Sequence, residues 1–342
     1  MTGRERVREA MRYRHPDRVP LQYYYTPVGY YEHGEKLNDL FESLPGDFEP
    51  FGRKPIPLLP SDNFDEQGKY HVFELDEWGT TWEKRIFGIA GLPKKYPITS
   101  PEQLAEYKLS ARHDAPIEQL RSEIVEHQKQ YYKLSSGGML LERLHALYPD
   151  EDVLCDLVLD EPGLCDLADK IIEYHTNDVQ LAIESGADGI SFGDDYGTER
   201  GMLMSPKSWR SFFKPRLKKL FAPAVAAGLD IVFHSCGKVM DILPDLREVG
   251  ANAIWPQIPA YNMEELAHVC RNLQLAVAIH TDRANTMTFG TPEQVRALVM
   301  REFEVFKMAD GGSWFYVEVD NAFPFENIEA LVQTIASLRN PS

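Results

Sequence analysis

A histidine and a cysteine two residues apart end an apolar run of the sequence. His234 and Cys236 follow residues 230–233, and the two-residue period of a strand places both side chains on the same side. Imidazole and thiolate together are ligands that favour zinc. The pair therefore predicts two ligands of a metal site, although a packed cysteine beside a hydrogen-bonded histidine would produce the same pattern.

A third metal ligand has to come from another strand end. Glu318 ends the apolar, aromatic run at residues 314–317, where an unpaired carboxylate would be costly to bury and a cation would neutralise it. Asp320 has the same strand parity, and His280 ends the preceding predicted strand, so both are alternatives. A salt bridge or a helix cap would explain either acid equally well. We predict Glu318 as the third ligand and leave these alternatives open.

Polar side chains recur at the ends of the other predicted strands. Asp194 and Asp195 follow the apolar run 189–192 and could bind substrate, transfer a proton or orient a ligand histidine, although an Asx-turn explains them as well. Such convergence at strand ends is what a barrel active site requires. We predict catalytic roles for Asp194, Asp195 and His280. We predict substrate contacts for Tyr196, Gln257, Trp78 and Arg283.

Strands and helices must alternate to bring these residues together. From about residue 160 onward, β-rich runs alternate with amphipathic helical stretches, which predicts parallel strands joined by crossover helices. Helix starts are marked at Ser205-Pro206 and at Thr291-Pro292, where Gln294 completes a capping box. Eight strands are predicted, at residues 19–25, 55–59, 131–136, 188–192, 230–234, 251–255, 274–280 and 314–319.

The predicted fold class is α/β. We expect a single (β/α)8 TIM barrel over residues 1–342, with an N-terminal extension and a β-hairpin excursion at residues 70–89. Two prolines weaken the strand at 55–59. The aromatic residues Trp78 and Trp82, with the tyrosines at 23–25, either line a pocket for a ring-bearing ligand or belong to the core.

Composition excludes several classes of partner. The chain has 53 acidic and 36 basic residues, and its formal charge of −17 disfavours nucleic acids and anionic membrane surfaces. The charged N-terminus does not resemble a signal peptide, and no run of about 18 apolar residues occurs. We therefore expect a cytoplasmic protein whose four cysteines are reduced.

Several segments form an ordered set along the chain. They are residues 4–7 and 16–20, residues 193–197 followed by Ser205-Pro206, residues 234–237 followed by 243–246, and residues 289–292 and 324–328. Together they resemble the uroporphyrinogen decarboxylase (URO-D) superfamily over nearly the whole chain, and the resemblance implies a (β/α)8 barrel.

The resemblance favours the methyltransferases of this superfamily over its decarboxylases. The decarboxylase branch carries an N-terminal arginine-rich signature that binds substrate carboxylates, but residues 21–26 here read Leu-Gln-Tyr-Tyr-Tyr-Thr. The His-x-Cys pair is instead similar to the zinc motif of the methyltransferases, which pass methyl groups between a small substrate and a corrinoid on a partner protein. The resemblance therefore implies Zn²⁺ and a corrinoid (cobalamin) carried by a corrinoid-binding protein.

The ligand set departs from that of the thiol-methylating members. They complete the site with a second cysteine on the last strand, but no cysteine follows Cys270 here. A His/Cys/carboxylate site is harder and more Lewis-acidic than a His/Cys/Cys site. We therefore predict a zinc-dependent methyltransferase that takes the methyl group from an oxygen-bearing donor such as an aryl methyl ether, an O-demethylation.

Two alternatives stay open at this point. One is a decarboxylase of a carboxylated tetrapyrrole or a smaller acid, with Asp194 or Asp195 as the catalytic group. The other is a non-catalytic corrinoid- or tetrapyrrole-binding protein in which Cys236 is structural. The oligomeric state is also open, with a homodimer as one option.

Overall fold

The structure is a computed structural model that describes residues 1–111 and 116–339. The strands are β1 (Leu21–Tyr24), β2 (Val72–Leu75), β3 (Thr81–Lys84), β4 (Leu92–Lys95), β5 (Leu134–Ser136), β6 (Gly189–Gly193), β7 (Asp230–Ser235), β8 (Ala253–Pro256), β9 (Ala276–His280) and β10 (Ser313–Glu318). The helices are α1 (Gly3–Met11), α2 (Pro27–His33), α3 (Glu35–Ser43), α4 (Ile117–His127), α5 (Leu141–Leu147), α6 (Asp150–Leu159), α7 (Pro162–Ser185), α8 (Pro206–Ala227), α9 (Leu243–Val249), α10 (Met263–Leu273), α11 (Pro292–Val305) and α12 (Phe325–Arg339).

Local sequence signals set the starts of the crossover helices as predicted. At the start of α8, the Ser205 side chain accepts a hydrogen bond from the Ser208 N–H, and proline occupies the first turn. At the start of α11, Thr291 and Gln294 form the reciprocal capping box. None of the helices among the described residues is both long and apolar enough to cross a membrane.

The chain groups into two compact units. The first comprises Met1–Leu58, Ser122–Leu134 and Asn252–Ser342. Its strands lie in the order β1-β10-β9-β8, and the pairs between them are parallel, with Tyr316 opposite His280. The side chains of β9 before His280 are buried, as expected for parallel strands covered on both faces.

A buried ion network stabilises this first unit. The Asp47 carboxylate, 1% exposed, accepts hydrogen bonds from the guanidinium groups of Arg6 and Arg339 and from the backbone N–H of Leu21. Arg339 is equally buried and also donates to the Val19 carbonyl. The network therefore connects α1, the entry to β1 and the last helix α12 through a single carboxylate.

The second unit comprises Leu59–Arg121 and Ser135–Ala251. Here β5, β6 and β7 are neighbours, and β6 pairs in parallel with β7 so that Gly193 lies opposite His234. A separate antiparallel sheet in the order β2-β3-β4 belongs to the same unit. The predicted hairpin at residues 70–89 is thus formed by β2 and β3, and β4 adds a third strand to it.

The α/β class and the (β/α)8 TIM-barrel fold are confirmed, with one strand corrected. Residues 55–59 form no strand, so the prediction of a strand there was wrong, and the described residues contain seven barrel strands. Proline at positions 55 and 57 removes two N–H donors from that run. Immediately before this run, the Asn38 side chain forms hydrogen bonds with both the N–H and the C=O of Lys54.

Candidate metal site

The paired strands β6 and β7 bring a set of metal-ligating side chains together. Most residues inside the two strands are apolar and buried, which favours the register in which Gly193 lies opposite His234. The residues that follow this pair of positions are Asp194 and Asp195 on one strand and Ser235 and Cys236 on the other. The polar residues predicted from the two separate motifs therefore meet at the carboxyl ends of adjacent strands.

The geometry of these side chains suits one small cation. The His234 Nε2 atom lies 3.4 Å from the Cys236 Sγ atom and 3.4 Å from Asp195 Oδ1. One ligand atom from each residue lies within 4.8 Å of the others. Ligands of tetrahedral zinc, at about 2.1 Å for N and O and about 2.3 Å for S, are separated by roughly 3.4–3.6 Å. The donor set and its two separations of 3.4 Å from His234 Nε2 therefore fit zinc.

Asp195 is charged and oriented for such a role. Burial would raise the pKa of its carboxyl, but hydrogen bonds from His234 and from the Cys236 backbone N–H outweigh it, and the pKa is lowered. The Cys236 N–H donates to Asp195 Oδ1 at 2.8 Å. The same short segment thus supplies a thiol and also orients the carboxylate beside it.

Two glycines allow the loops that carry these ligands to touch. The Lys238 N–H donates to the Thr198 carbonyl at 2.8 Å, and a Cβ atom on Gly197 would lie 2.6 Å from the Lys238 nitrogen. A Cβ atom on Gly237 would overlap the Gly197 backbone, and Gly237 has a φ of +67°. This close backbone contact explains why glycine occupies position 197, shortly after Asp195, and position 237, directly after Cys236.

We expect the variant Gly237→Ala to weaken zinc binding about tenfold and to destabilise the protein by about 1–3 kcal/mol, because it combines a strained φ with backbone overlap. Chelator competition and urea unfolding would measure these effects. Gly201→Ala is the matched control, since nothing lies within 4 Å of its added methyl group. A Gly237→Ala protein indistinguishable from this control would contradict the expectation.

Asp194 is not one of the candidate ligands. It is 2% exposed and accepts hydrogen bonds from the backbone N–H groups of Leu140 and Glu142 and from the Tyr196 hydroxyl at 2.8 Å. Burial raises the pKa of the Asp194 carboxyl to about 7, against the effect of these donors. Asp194 therefore connects the loop after β5 to the end of β6, and Tyr196 contacts it from the core.

Sequence reasoning did not select Glu142. This residue follows the loop after β5, and its carboxyl has a pKa raised to about 7, first by burial and then by the charges of Asp195 and Asp194. Three carboxyl groups with different pKa values thus lie close together, an arrangement suited to holding and moving protons. In the sequence, Glu142 is an acid in the first turn of a helix, which favourable interaction with the helix dipole already explains.

His280, the third predicted catalytic residue, belongs to the first unit and lies in an aromatic cluster. The Trp255 indole N–H donates to His280 Nδ1 at 3.3 Å, and the Tyr316 ring lies 4.3 Å from that of Trp255 and 5.2 Å from that of His280. Burial, followed by the charge of Glu318, raises the pKa of Tyr316. Glu318 thus lies beside the Tyr316 hydroxyl, and its role as a metal ligand stays a prediction.

The other predicted substrate contacts have identifiable surroundings. Arg283 forms an ion pair with Asp320 at 3.5 Å, and Gln257 is half-buried just after β8. Trp78 is buried, with the Arg143 guanidinium 4.2 Å from its ring centre and the Tyr174 ring at 4.8 Å. Substrate binding by any of these side chains stays a prediction.

The comparison with protein families identifies the chain. A model of uroporphyrinogen decarboxylase (URO-D) matches residues 151–338, which is more than half of the 342 residues. The chain therefore belongs to the URO-D family. The matched range includes all three candidate metal ligands of the second unit. No curated protein sequence matches the chain.

A solved structure with the same fold spans nearly the whole chain. This methyltransferase from Methanosarcina mazei is 17% identical and superposes with a TM-score of 0.67, covering 98% of this chain and 99% of the other. A 3-keto-D-glucoside 4-epimerase from E. coli is 15% identical with a TM-score of 0.40, covering 70% and 87%. A dihydropteroate synthase from Thermus thermophilus is 14% identical with a TM-score of 0.35, covering 48% and 65%.

Proposed function

We propose that this protein is a zinc-dependent methyltransferase that moves a methyl group between a small methylated donor and the corrinoid of a separate corrinoid-binding protein. The observation that carries the proposal is the cluster of His234, Cys236 and Asp195, whose ligand atoms fit tetrahedral zinc. Membership of the URO-D family and a fold like that of the Methanosarcina mazei methyltransferase support it.

The residues of the cluster have distinct tasks in this proposal. A bound zinc ion would supply Lewis acidity at the heteroatom from which the methyl group leaves. His234 and Cys236 would hold the ion from one strand end, and Asp195 would supply the third ligand from the neighbouring one. The hydrogen bond from the Cys236 N–H keeps Asp195 directed toward the two other ligands. The hydrogen bond from the Tyr196 hydroxyl to Asp194 holds the segment that carries Asp195.

The ligand chemistry favours an oxygen-bearing donor. One nitrogen, one sulfur and one carboxylate oxygen make a harder Lewis acid than a site with two thiolates. We therefore favour O-demethylation of an oxygen-bearing donor such as an aryl methyl ether.

Metal analysis of the purified protein tests the proposal. We expect about one zinc per chain in the wild type, and loss of both the zinc and methyl transfer in Cys236→Ser, because the thiolate is the softest ligand of the site. Cys155→Ser is the matched control, since Cys155 is an exposed cysteine. Zinc-free protein that still transfers methyl groups to a corrinoid would refute the proposal.

Decarboxylation is the second candidate, and the environment of Asp194 is the observation that favours it. A buried carboxyl with a pKa raised to about 7 can carry a proton at neutral pH, as protonation of a decarboxylated carbon requires. Release of carbon dioxide from a carboxylated tetrapyrrole or a small acid, lost in Asp194→Asn and independent of zinc, would support this reaction.

A further inference from the structure

A buried acid lies directly beneath the turn that follows β9. Glu302 of α11 is 1% exposed, and its Oε2 atom accepts a hydrogen bond of 2.8 Å from the hydroxyl of Thr281, which is also buried. Thr281 is the next residue after His280, whose ring accepts the Trp255 indole hydrogen bond. Glu302 is therefore separated from a predicted catalytic side chain by one hydrogen bond and one peptide unit.

The turn itself is ordered by a second acid. Asp282 accepts hydrogen bonds from the backbone N–H groups of Ala284 and Asn285 at 3.1 Å and from that of Thr286 at 3.3 Å. These bonds cap a single π-helical turn, Arg283–Met287, a conformation that often occurs at functional sites. The first residue of that turn is Arg283, a predicted substrate contact.

We propose that Glu302 is a positioning residue, which holds the turn after β9 through Thr281 and thereby places His280 and Arg283. Three features favour the positioning role. Glu302 has a hydroxyl partner, the turn beside it is capped, and the predicted functional residues His280 and Arg283 lie before and after Thr281 in the chain. The proposal concerns the turn and holds for either reaction considered above.

The protonation state of Glu302 makes this role sensitive to pH. Burial raises the pKa of Glu302 to about 8, the Thr281 hydroxyl opposes that shift, and the charge of Asp282 adds to it. Among the described residues, Asp282 is the charged group that acts on Glu302 from a neighbouring element. On its own helix, Arg301 is paired with Glu264 at 2.9 Å. Above this pKa, the ionised Glu302 is a stronger acceptor for the Thr281 hydroxyl and repels the charge of the half-buried Asp282, so ionisation changes the forces on the turn.

The expected result is a pH-dependent signal from Trp255 that depends on Glu302. In the wild type, we expect the indole N–H resonance of Trp255, assigned with Trp255→Phe, to shift between about pH 7 and 9.5 with a midpoint near the Glu302 pKa of about 8. Glu302→Gln keeps the shape and hydrogen-bonding capacity of the side chain but cannot ionise. Its resonance should stay constant over the same range.

Matched variants keep this test decisive. Glu304→Gln removes an acid from the same helix and should retain the wild-type midpoint. If Glu302→Gln does not fold, Thr281→Val and Thr281→Ser replace it: valine should displace the Trp255 resonance already at neutral pH, whereas serine keeps the hydroxyl and should not. A wild-type resonance that does not shift, a Glu302→Gln protein with the wild-type midpoint, or a Thr281→Val protein with an unchanged resonance would each overturn the proposal. None of these readings needs enzyme activity, so they do not depend on the proposed function.

Discussion

If the proposed zinc site is correct, we expect zinc affinity to fall at least about 100-fold in the variant Asp195→Asn, and methyl transfer to fall with it, because a neutral amide replaces a charged ligand. Loss of an outer partner alone typically costs about 10- to 100-fold. The asparagine oxygen can still accept the hydrogen bond from the Cys236 N–H, so the loop geometry is preserved. Competition with a chromophoric chelator at fixed pH measures the affinity.

Glu318→Gln is the comparison that identifies the third ligand. If Asp195 is the ligand, Glu318→Gln keeps near wild-type zinc affinity, although its position beside Tyr316 can alter turnover. The opposite result, with zinc lost in Glu318→Gln and retained in Asp195→Asn, would assign the third ligand to the last strand and would refute the role proposed for Asp195. Zinc retained in both variants would leave neither carboxylate as a ligand.

The free energy of unfolding falls by about 3–5 kcal/mol in Asp47→Ala, the largest stability loss that we expect from a single substitution. Removing this carboxylate leaves the guanidinium groups of Arg6 and Arg339 buried without their shared partner, and breaking a buried ion pair from one side costs about this much. Urea unfolding followed by circular dichroism measures the effect.

Asp17→Ala is the control for that prediction. Asp17 also pairs with Arg6, at 2.6 Å, but its side chain is 40% exposed, and such pairs contribute about 0–1 kcal/mol. Similar losses in both variants would show that burial of Asp47 is not the source of its effect. A loss below about 1 kcal/mol in Asp47→Ala would mean that water or a neighbouring group compensates the two arginines.

Much of the fold could be predicted because its signals are local. The helix starts at Ser205 and Thr291 depend on a cap residue, a proline and, for Thr291, a glutamine within one turn. The strand at residues 55–59 was wrong for an equally local reason, since its two prolines outweigh its apolar residues. The third strand β4 was missed because Leu92–Lys95 is short and mostly exposed, and it has little apolar pattern of its own.

The candidate site was only partly predictable. The pairing of His234 with Cys236 follows from strand period alone, because both residues belong to one strand end. Asp195 was predicted as a catalytic residue, but its distance of 3.4 Å from His234 depends on the register between β6 and β7. Glu142 lies close to Asp194 and Asp195 because backbone N–H groups at the start of α5 donate hydrogen bonds to Asp194. In the sequence, a single acid at a helix start does not indicate this proximity.

The sequence by itself determined the alternation of strands and helices, the family resemblance and two of the proposed zinc ligands. Each depends on residues close together in the chain, where period, capping and side-chain chemistry act directly. Only the tertiary structure decided which carboxylate of the second unit joins His234 and Cys236 and which acid lies under the turn at Thr281. Those choices depend on strand register and on burial, which residues far apart in sequence create together.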